Sequence, residues 1–226
     1  MPEAAAGKRR EHFGQGQLFA DPAKSVFINC PYDPSFQLTF DAIVFAVVCC
    51  GFMPRSALES GTVAESRIDR ILRAMFSSKY SIHDLSRCRG EGDENLARFN
   101  MPLELGMAMA RRFTKTRKGP QHDWLLLVPE SHSYVRFASD LGGYDPVQYT
   151  GGPEAIVPKV MVWLATRPDA DRMPTPEEVL GELPKFQAEK ARLQRSWKDQ
   201  VSWADLVLAS QEIFRSLVAA QLLSPS

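Results

Sequence analysis

The chain has 226 residues, 44% of them hydrophobic, which suits one globular domain of ordinary size with an appendage. Lys plus Arg number 27 and Asp plus Glu number 27, so no net charge draws the molecule to nucleic acid or to anionic lipid. The longest apolar run, Ala42 to Cys50, falls well short of the roughly 20 residues of a spanning helix, and the start of the chain carries no secretory pattern; no membrane span and a cytosolic location are expected.

Residues 1–24 are small, polar and charged without periodicity, which predicts a flexible tail. SVFINC (Ser25 to Cys30) is a short apolar run closed by PYDP, a strand followed by a turn. Leu38 to Cys50 predicts a strongly apolar helix stopped by Gly51, and FMPRSALE a weaker strand whose Pro54 suits a sheet edge. Between Glu65 and Phe76, Ile68, Ile71, Leu72 and Met75 recur at helical spacing opposite Arg67, Asp69, Arg70 and Arg73.

KYSIHDLS predicts a strand ending near Asp84, followed by a polar loop from Arg87 to Phe99 and a helix carrying Glu104. DWLLLVPE is the clearest strand, and Ala155 to Ala165 a further helix with Pro158 placed in its first turn. This alternation argues for an open α/β domain over 25–166, a parallel sheet with helices on both faces. Residues 167–226 then bring a linker and two strandless helical segments, Glu177 to Trp197 and Trp203 to Leu223, which read as a hairpin or an oligomerisation element.

Cys30, Cys49, Cys50 and Cys88 show no C-x-x-C spacing and read as reduced thiols, while His12, His83, His122 and His132 are too dispersed for a metal centre; no metal is expected. No Gly-rich phosphate loop of dinucleotide or P-loop type is present.

The stretch RFNMPLELGMAMARR is the most informative. From Asn100 to Ala110 its only charge is Glu104. With Asn100 as N-cap, Glu104 falls one position late for a capping box, and its helical neighbours supply no cation nearer than Arg111. A carboxylate buried there is costly unless a ligand or the preceding loop supplies donors.

IHDLSR, a variable loop, then RFNMPLELGMAMA resembles the strand, Asp, loop and Glu-x-Gly helix shared by nucleoside 2-deoxyribosyltransferases and TIR-like proteins. VFINCPYDPSF, DAIVFAVVCCGFMPR and FASDLGGYD further resemble a bacterial group of TIR-like domains linked with antiphage defence, over roughly Ser25 to Leu164.

The resemblance implies a flavodoxin-like sheet and chemistry at an N-glycosidic bond: release of nicotinamide from NAD, with hydrolysis or cyclisation, where NAD is substrate and no cofactor is needed. Base exchange on a deoxynucleoside is the alternative, and a non-catalytic TIR-like adaptor the third. Glu104 carries over as the catalytic carboxylate. The resemblance also implies a homo-oligomer through the TIR-like domain and the C-terminal helices, with a defence-system protein as a possible partner.

Six further residues are candidates for substrate binding. Asp84 at a strand end could hold a sugar hydroxyl or serve only as a turn former. Asn29, Tyr32 and Asp33 share the first loop, where an aromatic face could stack on a base. Arg98 and Asn100 flank a helix start suited to phosphate, although Arg98 could equally pair with Glu91, Asp93 or Glu94. His83 alternates to the other sheet face from Asp84 and reads as a structural histidine.

Overall fold

The computed structural model describes residues 21–59, 64–88, 98–114, 122–131, 133–170, 173–198 and 201–223. Five strands form one sheet: β1 (Ser25–Asn29), β2 (Met53–Arg55), β3 (Tyr80–Asp84), β4 (Asp123–Pro129) and β5 (Val147–Tyr149). Their order is β2-β1-β3-β4-β5 and every pairing is parallel. The fold is therefore the open α/β sheet expected from the sequence, and the direction of winding reverses between β1 and β3.

β5 was not foreseen, because three residues, VQY, carry too little pattern to mark a strand. Pro54 lies on the edge strand β2, where a missing N–H leaves no gap in the ladder.

The helices are α1 (Gln37–Cys49), α2 (Arg67–Phe76), α3 (Asn100–Phe113), α4 (Pro153–Ala165), α5 (Pro176–Ser196) and α6 (Trp203–Leu223). Alternation along the strands divides them. Val26, Ile28, Ile82, Leu125 and Leu127 face the core shared with α1, α4, α5 and α6, whereas Phe27 packs with Ile71 and Met75 of α2. Leu126 and Val128 face α3 through Met101 and Leu105. α1 is buried from Thr39 to Cys49, as a helix apolar all round must be.

Several boundaries differ from expectation. The end of the expected tail, Pro22–Lys24, forms a 3-10 turn whose Pro22 carbonyl accepts from Lys79 N; residues 1–20 lie outside the described residues, as do 89–97 of the β3–α3 loop and His132. Pro153 takes the first turn of α4, so Pro158 sits further inside, where its missing N–H deprives the Glu154 carbonyl of its helical partner. α5 begins with a capping box, Thr175 with Glu178, and Pro176 takes its first helical position, so the helix starts one residue before the expected Glu177.

α5 and α6 belong to the main core. Phe186 stacks on Phe45 of α1 at 5.1 Å, Trp203 and Val207 are buried in the same cluster, and Lys190 bonds both oxygens of Asp41 at 2.7 Å. No helix among the described residues is long and apolar enough to cross a membrane.

Candidate active site

α3 starts at Asn100 with Phe99 as its N-cap, one residue earlier than the capping argument assumed, so Glu104 lies deeper in the helix and further from a capping role. Its side chain is buried, 5% exposed. Burial raises the Glu104 carboxyl from 4.5 to about 7, against the opposing pull of Arg67 and a hydrogen bond from the Asn100 side chain.

Arg67 is the residue the sequence reading missed. It opens α2 directly after the N-cap Ser66, and its guanidinium lies 5.8 Å over the Tyr32 ring. An N-cap serine places the next residue at the end of the sheet where the loops gather, and that is the signal that could have found it. Arg111, the nearest cation along the helix, donates instead to the Met75 and Ser78 carbonyls at the far end of α3.

A cavity of about 390 Å³ opens here at the carboxyl end of β1, beside the reversal in winding. Asn29, Tyr32, Asp33, Arg98 and Asn100, five of the six expected binding residues, line it together with Cys30, Arg67 and Met101. Glu104 is not in the lining: it sits just behind the residues that contact or sense its charge, Asn100, Arg67, Tyr32 and Cys30. The Cys30 thiol is pushed well up, first by burial, so it is no nucleophile.

Each lining side chain has a role in the wall. Asp33 binds Arg87 at 2.8 Å and Arg98 at 3.2 Å, which hold its carboxyl well below the usual range. Tyr32 shares a 3.0 Å hydrogen bond with Ser56, and burial pushes its phenol up. Asn29 donates to the Met101 carbonyl at 3.1 Å and meets His83 Nδ1 at 3.0 Å.

From there a buried chain runs beneath the sheet: His83 Nε2 to Ser81 Oγ at 2.8 Å, Ser81 Oγ to His122 Nε2 at 2.8 Å, His122 Nδ1 to the Ser78 carbonyl at 3.1 Å. One assignment of protons satisfies every member, with Asn29 donating to His83, His83 to Ser81, Ser81 to His122 and His122 to Ser78. Both imidazoles are then neutral, in keeping with burial that lowers His83 to about 3 and His122 to about 4. His83 is thus the satisfied structural residue expected of it, and it fixes Asn29.

Asp84 is the sixth expected residue, and the structure does not bring it to this cavity. It points to the opposite face of the sheet, accepting from Tyr149 Oη at 2.7 Å and Ser86 N at 2.9 Å, fully buried. The physical reason is strand alternation: His83 pairs in register with Asn29, so Asp84 must face away. Among the described residues no group of His, Cys, Asp and Glu is arranged to hold a metal ion.

Comparison with protein-family models, with curated proteins and with solved structures returns no match.

Proposed function

We propose that the protein is a TIR-like NAD glycohydrolase that cleaves the nicotinamide N-glycosidic bond, with Glu104 as its carboxylate and a part in antiphage defence as the setting the sequence resemblance suggests. The observation that carries this reading is the solitary buried carboxyl of Glu104 behind a cavity at the carboxyl end of β1, with the Asn100 amide bonded to it and the Arg67 charge near by.

In NAD the nicotinamide nitrogen is already cationic, so the C1′–N bond breaks with its electron pair passing to a neutral leaving base. No acid is needed to protonate it. Positive charge develops on the ribose, and an ionised Glu104 in water-poor surroundings stabilises it. Water, or a nucleophile within the ADP-ribose when the product is cyclic, then adds at C1′ and releases a proton.

A cavity of about 390 Å³ is at the small end of ligand sites and suits the nicotinamide riboside end of a dinucleotide. Entry brings Arg67 from Glu104 towards the phosphates, with Arg98 beside it, and Tyr32 offers a face to the ring.

The deoxyribosyltransferase alternative fares less well on the same residues. A neutral base leaves more readily when an acid protonates it, yet Asp33 is ion-paired and Asp84 faces away. Two arginines also suit a phosphorylated substrate better than a neutral nucleoside.

The test is incubation of the purified chain, over a range of concentrations that allows assembly, with NAD and separately with deoxynucleosides, beside Glu104→Gln. Nicotinamide release lost by at least a hundredfold in the variant is the expected result. Release unchanged in Glu104→Gln, or turnover of deoxynucleosides alone, overturns the proposal; binding of a partner without turnover of either substrate returns weight to an adaptor.

A further inference from the structure

Asn29 stands at the end of β1 in the wall of the Glu104 cavity, yet it is buried, 3% exposed. A primary amide carries two N–H donors and one carbonyl acceptor. Both donors are taken on the inner side, where His83 Nδ1 lies 3.0 Å from Asn29 Nδ2 and the Met101 carbonyl 3.1 Å. Oδ1 has no hydrogen-bond partner among the described residues.

The direction of this amide is set twice over. The Ser78 carbonyl can only accept, so His122 Nδ1 carries a proton; a neutral His122 then accepts from Ser81, Ser81 accepts from His83 Nε2, and His83 Nδ1 is left to accept from Asn29. Burial keeps both rings neutral, since it lowers His83 to about 3 and His122 to about 4. The Met101 carbonyl imposes the same direction on its own, because a flipped amide would set two carbonyl oxygens against each other at 3.1 Å. The buried polar chain thus ends in one oxygen on the cavity side.

A buried acceptor left open costs stability, and a wall that needed only filling is served by an apolar side chain. The neighbouring polar groups are engaged or are donors. Asp33 is bound by two arginines and Tyr32 shares its hydroxyl with Ser56, while Arg67 and Arg98 carry only N–H groups. Asn29 is bonded to Met101 and Glu104 to Asn100, neighbours in the first turn of α3, so Oδ1 and the carboxylate address the same part of a ligand.

We infer that Asn29 determines specificity at this site: its Oδ1 accepts a hydrogen bond from the nicotinamide riboside end of NAD, given by the carboxamide N–H or by a ribose hydroxyl. The identity of the ligand rests on the glycosidic reading; the direction of the amide does not.

The test is calorimetric titration of Glu104→Gln, with and without Asn29→Ala, using NAD and three analogues that each lack one donor: the 3-acetylpyridine dinucleotide, without the carboxamide N–H, and the 2′-deoxy and 3′-deoxy forms of the nicotinamide riboside. One analogue is expected to bind about tenfold or more weakly than NAD, Asn29→Ala to weaken NAD by a similar factor, and the two losses not to add. Which analogue it is names the donor. Nitrogen NMR of the parent chain is expected to show the proton on Nε2 of His83 and on Nδ1 of His122. Asn29→Ala leaves His83 Nδ1 and the Met101 carbonyl without their donor, so melting curves check its fold, and the analogue series with the NMR decides if it unfolds. Three analogues binding as tightly as NAD, Asn29→Ala weakening all four ligands equally, or a proton on Nδ1 of His83 overturns the inference and leaves the glycosidic reading in place. No binding of any dinucleotide overturns both.

Discussion

At Glu104 burial wins over the two groups that favour the charge, and this has a measurable cost. The folded protein holds the proton until about pH 7, whereas the unfolded chain releases it near 4.5. The contribution to stability is therefore greatest below pH 4.5 and falls as pH rises through 7, by about 3 kcal/mol in full. Glu104→Gln removes the dependence. Urea unfolding should find the variant more stable than the parent by up to about 3 kcal/mol at pH 8 and close to it at pH 5. An equal difference at both values would mean that the carboxylate is not strained. The solitary charge in an apolar helix was legible in the sequence, as were the five residues that line the cavity in front of it. Arg67 was not, because on a helical wheel it belongs to the charged face of α2, and only the packing of α2 beside α3 turns that face end towards Glu104. Nor could the sequence join His83 to His122, since Ser81 bridges them only once β3 is laid beside the start of β4.

Among the elements, α1 and α5 are joined by a buried ion pair, Asp41 with Lys190. Asp41 is 3% exposed, and burial raises its carboxyl even with Lys190 and Gln37 bonded to it. Lys190→Met leaves that carboxyl with Gln37 alone and should destabilise by about 3–5 kcal/mol, as loss of one partner of a buried pair does. Adding Asp41→Leu should restore most of it. Thermal unfolding of the two variants checks this, and a double variant as unstable as the single would show that the pair itself is stabilising. Periodicity was enough to find all six helices and four of the five strands among the described residues. It failed where an element is too short to show a period, as at β5, or where proline is accommodated within a helix, as at Pro158, since neighbouring packing tolerates the lost bond.

Across the whole molecule, the C-terminal helices close the main core, which alters what their removal would do. A chain ending at residue 166 loses Val179, Leu183, Phe186, Trp203 and Val207 from the cluster around α1. Phe186 alone is worth about 3–5 kcal/mol on truncation to Ala, a large part of the stability of a domain this size. The shortened chain should be unfolded or aggregated, with no cooperative melt and no sharp near-ultraviolet dichroism; a folded one would mean that the two helices are an addition to a core complete without them. The sequence marked these helices as strandless and charge-bearing, which left a hairpin and an oligomerisation element both open. Nothing in one stripe tells which apolar surface covers it.

The burial of α1 also sets a timetable for synthesis. A ribosome adding about 5–20 residues each second needs roughly 8–30 s between finishing α1 and beginning α6. For much of that interval the apolar helix Gln37–Cys49 lacks α4 and α5, and to its end it lacks α6, the helices that cover it. Slower translation of the second half would lengthen the time for which that apolar surface is open to non-native contacts and to proteolysis.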